Sequence, residues 1–243
     1  MKVALACIAK DEDNYIQEWV NYHKKIGFDN IFIYQNNWRC LVEDEILIKI
    51  AYDGDIKQIS AYNDFIKKFY REFDWVLFLD VDEFLVLKKH KNIHEMIKSH
   101  YKMGHGFGIN WVLFGNNNHE SVTNNNYSLI KRFTKRGERP YHLFKTLLKL
   151  STKKMRMHDP HRPDLAIVDT DGRLIIGTNH DNGPIDIAQV NHYFCKTQEE
   201  FIKKITRGSS DGTPTRKIDA WHAHNMNEVD DNNALWLMHS DKS

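Results

Sequence analysis

Three carboxylates crowd four positions of this sequence: Asp80, Asp82 and Glu83, in the stretch Trp75 to Leu85, "WVLFLDVDEFL". Side chains two apart in extended chain point the same way, so Asp80 and Asp82 can aim two hard oxygen donors at one point. Such a pair suits Mg²⁺ or Mn²⁺, ions that prefer oxygen and are commonly shared with a phosphate. Carboxylates this close repel one another, and the repulsion calls for a cation or for raised pKa values. The plain alternative is a strand-end turn whose acids cap a following helix. A third acid beside the pair, and the apolar residues on both flanks, weigh towards ligand binding.

The acids must be positioned by the elements around them, and the hydrophobic pattern specifies several. Val3 to Ala9 reads as a first strand. From Asn14, the residues Tyr15, Ile16, Trp19, Val20, His23 and Ile26 recur at helical spacing until Gly27 stops the helix. "NIFIYQNN" (30–37) is the next strand, and strand, helix, strand in so short a span is a βαβ unit of a parallel sheet. Glu43 to Tyr52 reads equally as short helix or strand, "DGDIKQI" as a turn into a strand, and Ala61 to Phe73 as a helix. "WVLFLDVDEFLVL" reads as one central strand, because near-continuous hydrophobicity marks burial on both faces. Ligands of open parallel sheets bind beyond the carboxyl ends of the strands, where Asp80 and Asp82 are expected. Further strands are read in "GFGINWVLFG" (106–115), Lys145 to Leu150 and Ile185 to Tyr193, with a helix over Thr197 to Thr206. Trp19 and His23 share a helical face, where packing is the simpler role.

The chain is long enough for one sizeable domain, and a formal net charge of +1 offers no field for gathering nucleic acid. Cys7, Cys40 and Cys195 are an odd number without C-x-x-C spacing, so neither a disulfide framework nor a zinc cluster is indicated, and a reducing, cytoplasmic setting fits. The N-terminal apolar run is too short for a signal peptide and no stretch reaches the ~18 apolar residues of a spanning helix. The basic cluster "LIKRFTKRGERP" (129–140) leaves open peripheral attachment to the inner face of a membrane, against the simpler reading of a solvated face.

Two chemistries place an acidic cluster of this kind on an α/β sheet. Phosphohydrolases of the haloacid dehalogenase type carry D-x-D-x-[TV] after their first strand, whereas here Phe84 fills the fifth position and the motif falls well into the chain. Nucleotide-sugar glycosyltransferases of the GT-A type carry D-x-D after several strands, and position and context favour these. A carbohydrate-binding module without catalysis is the third reading. The blocks "ACIAKDEDNYIQEWVNYHKKIGFDNIFIYQNN", "QISAYNDF", "WVLFLDVDEFL", "INWVLFGNNNH", "VNHYFCKTQEEFIKKITRG" and "HNMNEVDDNNAL" resemble, in this order, glycosyltransferase family 92 and related family-2-like bacterial enzymes. The resemblance covers most of the chain. It implies a GT-A fold, a divalent metal that is usually manganese, and inverting transfer of a hexose, galactose first, from a UDP-sugar to a glycan acceptor in surface polysaccharide or lipopolysaccharide synthesis.

Carried over by residue, the resemblance makes Asp82 the principal metal ligand, gives Asp80 the ribose or the metal's waters, and offers His192 in "VNHYF" as a third metal contact. Lys204 and Arg207 are expected at the donor diphosphate. Lys10 and Glu12 match a family Lys-Asn-Glu in which Asp11 here replaces Asn, and Gln58, Tyr62 and Asn63 fall where relatives place the base and ribose. For the general base, Asp159 in the proline-stiffened loop "MHDPHRP" is the first candidate and Glu120 the second; Asn118-His119 stands where relatives tend to have Gly-His. His158 and His161 are candidate acceptor contacts, with a simple turn as the alternative and a zinc pair disfavoured for want of a third ligand. The domain expectation is a mostly parallel GT-A catalytic domain over 1–208, split into a nucleotide-binding half (1–87) and an acceptor half (88–208). Residues 209–243 are expected as a loop and tail, with Trp221 and Trp236 as anchors.

Overall fold

The computed structural model describes residues 1–123, 126–151, 154–207 and 217–239. β1 (Val3–Ala9), α1 (Ile16–Lys25) and β2 (Asn30–Gln35) form the expected βαβ unit, the two strands lying parallel. Gly27 ends α1 at a φ of +95°, a left-handed turn that glycine adopts without the Cβ penalty. β3 (Leu47–Ala51) settles the ambiguous segment as a strand, parallel to β2 at one edge of the sheet. "DGDIKQI" departs from expectation: its turn feeds α2 (Gln58–Phe69) directly, because Gln58, Ala61, Tyr62, Phe65 and Ile66 make one buried helical face. Ile56, which lends that segment its strand-like alternation, is exposed at a left-handed turn.

The acidic stretch is the larger departure. It is not one strand: β4 (Trp75–Phe78) stops, the chain turns through Asp80 and Asp82, and β5 (Glu83–Leu87) begins elsewhere. Then follow α3 (Ile93–His100), β6 (Gly106–Leu113), α4 (Leu129–Arg132), β7 (Lys135–Arg136), β8 (Phe144–Lys149), β9 (Ala188–His192) and α5 (Gln198–Arg207). Among the described residues the main sheet runs β3-β2-β1-β4-β8-β6-β9-β5, parallel through β4 and mixed beyond it. This is the expected α/β class. β6 curls the sheet, pairing with β8 through its first half and with β9 through its second. The curl brings the far edge back towards the end of β4, so the short acidic turn can reach it.

Both faces of the parallel half are buried, which explains its unbroken hydrophobicity. Val3, Leu5 and Cys7 of β1 pack with Trp19 and Val20 of α1, while Ala4, Ala6 and Ile8 pack with Phe65 and Ile66 of α2 on the other face. β5 is an edge strand whose unpaired backbone α1 covers. Trp19 Nε1 donates to the Glu83 carbonyl (2.9 Å), the Tyr22 hydroxyl to the Leu85 carbonyl (3.0 Å), and the Leu85 N–H to His23 Nε2 (3.3 Å). Trp19 and His23 thus pack, as their spacing suggests, and also complete the edge of the strand that follows the acids.

The segment read as a tail holds α6 (Ile218–His224), β10 (Val229–Asp230), which pairs with β7, and α7 (Asn233–His239). Trp221 packs with Phe194, Cys195 and Phe201, whereas Trp236 is 80% exposed and anchors nothing. Asn225 and Asn227 accept the backbone N–H groups of Asn116 and Asn117, so the asparagines near the end clamp the earlier asparagine loop. In the basic cluster, Arg132, Lys135 and Arg136 pair with Glu200, Asp230 and Asp231. Among the described residues no helix is long and apolar enough to cross a membrane.

Gly27 provides a direct check of this architecture. A Cβ there would stand 3.2 Å from the Asn92 Cβ on a left-handed backbone. Gly27→Ala is expected to lower unfolding free energy by about 1–3 kcal/mol, seen as an earlier midpoint in urea with an unchanged slope.

Candidate active site

Strand register assembles the site. Glu83 lies opposite His192 in the β5–β9 ladder, and the Tyr193 N–H donates to the Asp82 carbonyl (2.9 Å), so the residue before β5 is held beside the end of β9. Asp82 Oδ1 and His192 Nε2 are consequently 3.8 Å apart. Asp82 is nearly buried, and its other oxygen accepts from Lys204 Nζ of α5 at 2.6 Å. Burial alone would raise the Asp82 carboxyl, but the charges of Lys204, His192 and Lys196 outweigh it and hold the group well below the usual carboxylate range.

The three acids take separate surroundings. Asp80 accepts from Gln58 Nε2 (2.8 Å) and from Lys145 Nζ (3.3 Å). Glu83 is fully buried; one oxygen receives the Asp80 N–H (2.8 Å) and lies 3.1 Å from Lys145 Nζ. Burial pushes the Glu83 carboxyl up to about 8 against the pull of Lys145, with Asp80 and Asp82 adding to the rise. Lys145 remains charged: burial disfavours its ammonium, but Asp80 and Glu83 on either side more than compensate. Glu83 is therefore an internal brace that ties the acidic turn to β8, and Lys145 is the cation that the crowded acids required.

A cleft of about 390 Å³ opens between the loop after β1 and α5, lined among others by Glu12, Tyr15, Lys196 and Lys204. Lys196 has a φ of +48°, uncommon for a side-chain-bearing residue. Its buried Nζ stands 3.6 Å from the centroid of the Tyr15 ring and 3.9 Å from Glu12 Oε2. Burial lowers its pKa, with Glu12 and Asp82 pulling the other way. The Tyr15 hydroxyl donates to Glu200, which Arg132 grips through both guanidinium nitrogens at 2.9 Å, so the cleft wall is braced from behind.

The residues expected at the site separate into groups. Asp80, Asp82, His192, Lys204 and Glu12 come together, and Gln58 stands behind Asp80. Lys10 precedes Glu12 at the mouth of β1 and is partly exposed. Tyr62 cannot stack on a nucleotide base, because it is 1% exposed with its ring lying flat on Phe78 (4.2 Å between centroids). Asn63 exchanges two hydrogen bonds with the backbone of Met157 and so staples α2 to the loop after β8. The side chain of Arg207 lies outside the described residues. Asp159 Oδ1 accepts the N–H groups of His161 and Arg162, the bonding of a turn former. His158 is exposed and pairs with Asp164, while His161 turns inward, so the two do not converge on a metal. Glu120 is exposed, in the loop whose carbonyl meets the start of α5.

Three contributors escaped the sequence reading. Lys145 sits in an apolar strand, and its signal was a charge at a position whose neighbours are buried. Lys196 gave none, since its role depends on a left-handed turn. Trp111 of β6 packs against His192 at 4.3 Å and His161 at 4.9 Å between ring centroids, joining residues far apart in sequence.

Comparison with known proteins adds the following. A family model described as glycosyltransferase family 92 matches residues 55–228. A Ricinus communis protein described as a glycosyltransferase family 92 protein is 27% identical over 42% of this chain and 20% of its own length, so the chain spans about a fifth of that relative. Among solved structures, S. aureus TarS 1–349 is matched at 12% identity and a TM-score of 0.39, over 85% of this chain and 64% of that one. The same protein in complex with UDP-GlcNAc is matched at 16% identity and 0.35, over 51% and 37%.

Removing the buried cation tests the electrostatic account. Lys145→Met leaves Glu83 and Asp80 without their shared partner and is expected to cost about 3–5 kcal/mol of stability, read from chemical denaturation at pH 7.

Proposed function

Since the chain belongs to glycosyltransferase family 92, we propose that it transfers a hexose, galactose first among the candidates, from a UDP-sugar to a glycan acceptor with inversion at the anomeric carbon. The observation that carries this reading is the meeting of Asp82, His192, Lys204 and Lys196 beside one cleft, where acids and cations suit a metal-linked diphosphate. Polysaccharide synthesis at the cell surface is the setting this proposal takes from the family.

The donor set fits a divalent ion. Asp82 Oδ1 and His192 Nε2, 3.8 Å apart, can both touch one cation, and carboxylate with imidazole is a set that manganese accepts. Among the described residues no group of three His, Cys, Asp or Glu side chains converges on a single point. Asp82 and His192 are the two ligands that the described residues offer there, and diphosphate oxygens and water would complete the shell, as is usual for Mg²⁺-type sites. Mn²⁺ or Mg²⁺ held there would neutralise charge that grows on the leaving diphosphate.

The chain's own residues do the rest. Lys204 balances Asp82 and stands next to the cleft, so its ammonium can pass to a phosphate oxygen once a metal shares the carboxylate. Lys196 is already fixed and partly desolvated over Tyr15, which lets it meet an anion with little further ordering. Asp80, with Oδ1 on Gln58 and Oδ2 on Lys145, is the carboxylate assigned to the ribose in this proposal.

Ligand-induced stabilisation tests the proposal, because a ligand that binds only the folded state raises its melting temperature. UDP with Mn²⁺ is expected to raise Tm clearly and Mn²⁺ alone to do little, since Asp82 and His192 by themselves leave most of the ion's shell to the diphosphate and water. Asp82→Asn should abolish the joint effect and metal-dependent turnover of UDP-sugar; full retention of both would remove Asp82 from the metal site. Lys196→Met should weaken UDP about tenfold while leaving uridine binding unchanged.

A further inference from the structure

The transfer needs a group that takes the acceptor's proton, and the loop after β8 holds one that is better placed than its acids. His161 is clamped along its backbone: its N–H donates to Asp159 Oδ1 (2.7 Å) and its carbonyl accepts from the Thr146 hydroxyl (2.6 Å). Its ring is fixed too. Nδ1 lies 3.0 Å from the Phe144 carbonyl, which can only accept, so Nδ1 carries the hydrogen and Nε2 carries the lone pair. Among the described residues no hydrogen bond engages Nε2, and the residue is only part-buried.

The ring's location connects it to the donor site. It meets Trp111 nearly at right angles (centroids 4.9 Å apart, planes at 78°), and the same indole packs against His192 at 4.3 Å. Lys145, which holds Asp80, stands 5.6 Å from that indole. His161 and the candidate metal ligand His192 thus flank one aromatic side chain, with the lysine that holds Asp80 over the same ring. Burial lowers the pKa of His161 to about 4, with Lys145 reinforcing the shift and Asp159 and Asp80 opposing it, so the imidazole is unprotonated at neutral pH.

Resting on the donor reading above, we propose that His161 is the general base of the transfer. Nε2 takes the proton of the acceptor hydroxyl as that oxygen bonds to the anomeric carbon. The bond from that carbon to the diphosphate oxygen breaks in the same step, and its electron pair leaves with UDP. The proton passes from Nε2 to water, restoring the neutral ring. Asp159 is then a positioning residue: one of its oxygens is spent on the N–H groups of His161 and Arg162, a task that asparagine can also perform.

The test reads UDP released from UDP-galactose with Mn²⁺, with water and with added N-acetylglucosamine as probe acceptors. His161→Ala and the bulkier His161→Gln are each expected to slow release about 100-fold while keeping the wild-type Tm rise with UDP and Mn²⁺. Added imidazole should restore a large part of the rate to His161→Ala, which a purely structural role would not allow. Asp159→Asn, which keeps the turn and removes the charge, should stay within a few-fold of wild type. A 100-fold loss in Asp159→Asn with His161→Gln near wild type overturns the assignment, and so does a loss in both His161 variants without recovery in imidazole. Failure of the donor reading looks different: wild type would neither gain Tm from UDP and Mn²⁺ nor release UDP, and the base assignment would fall with it.

Discussion

Three acids within four residues can share the end of a buried sheet only if cations are built around them, and the site follows from that requirement. Lys145 reaches in from β8 to stand between Asp80 and Glu83, and Lys204 comes from α5 to Asp82. Glu83 is spent on the turn itself, through the Asp80 N–H and the buried ammonium. The two aspartates are left at the sheet end with different partners, Asp80 partly exposed and Asp82 nearly buried. A carboxylate at the edge of a low-dielectric interior is costly to leave alone, and each of the three acids accordingly has a lysine partner.

The break between β4 and β5 turns this charge into a site. Had the stretch continued as one strand, Asp82 would have faced the neighbours of β4 and never met β9. The curl of β6 instead lets a short turn cross to the far edge, where ladder register sets Glu83 opposite His192. The new edge strand needs cover, and α1 supplies it through Trp19, Tyr22 and His23. His23 is buried neutral for this purpose, its pKa lowered to about 3 by burial. A helix that periodicity marks as simple packing is in this way coupled to the position of the acids. The C-terminal segments act similarly: Asn225 and Asn227 hold the asparagine loop after β6, and Asp231 holds Arg136 of β7.

How far the sequence could be read depended on the range of the interactions involved. Hydrophobic period is a local property, and it located β1, α1, β2 and most of α2, together with the parallel half of the sheet and the acids at its end. That Asp80 and Asp82 sit at a strand end was legible from local pattern, whereas the packing of Tyr62 on Phe78 and the bonding of Asn63 to Met157 were not, because they are decided by what lies against them across the fold. The strand break at Asp80 was illegible for a related reason. Both flanks are equally apolar, and only pairing with β1 on one side and β9 on the other tells them apart.

By itself, then, the sequence determined the α/β class and the acidic strand end, since each depends on residue type and short spacing. Tertiary structure alone decided which cations answer the acids, that Lys196 is buried over Tyr15, and that His161 and His192 share Trp111. Those pairings join β4, β6, β8, the loop after β8, and α5 across long stretches of chain, and they exist only where the curled sheet brings these elements together.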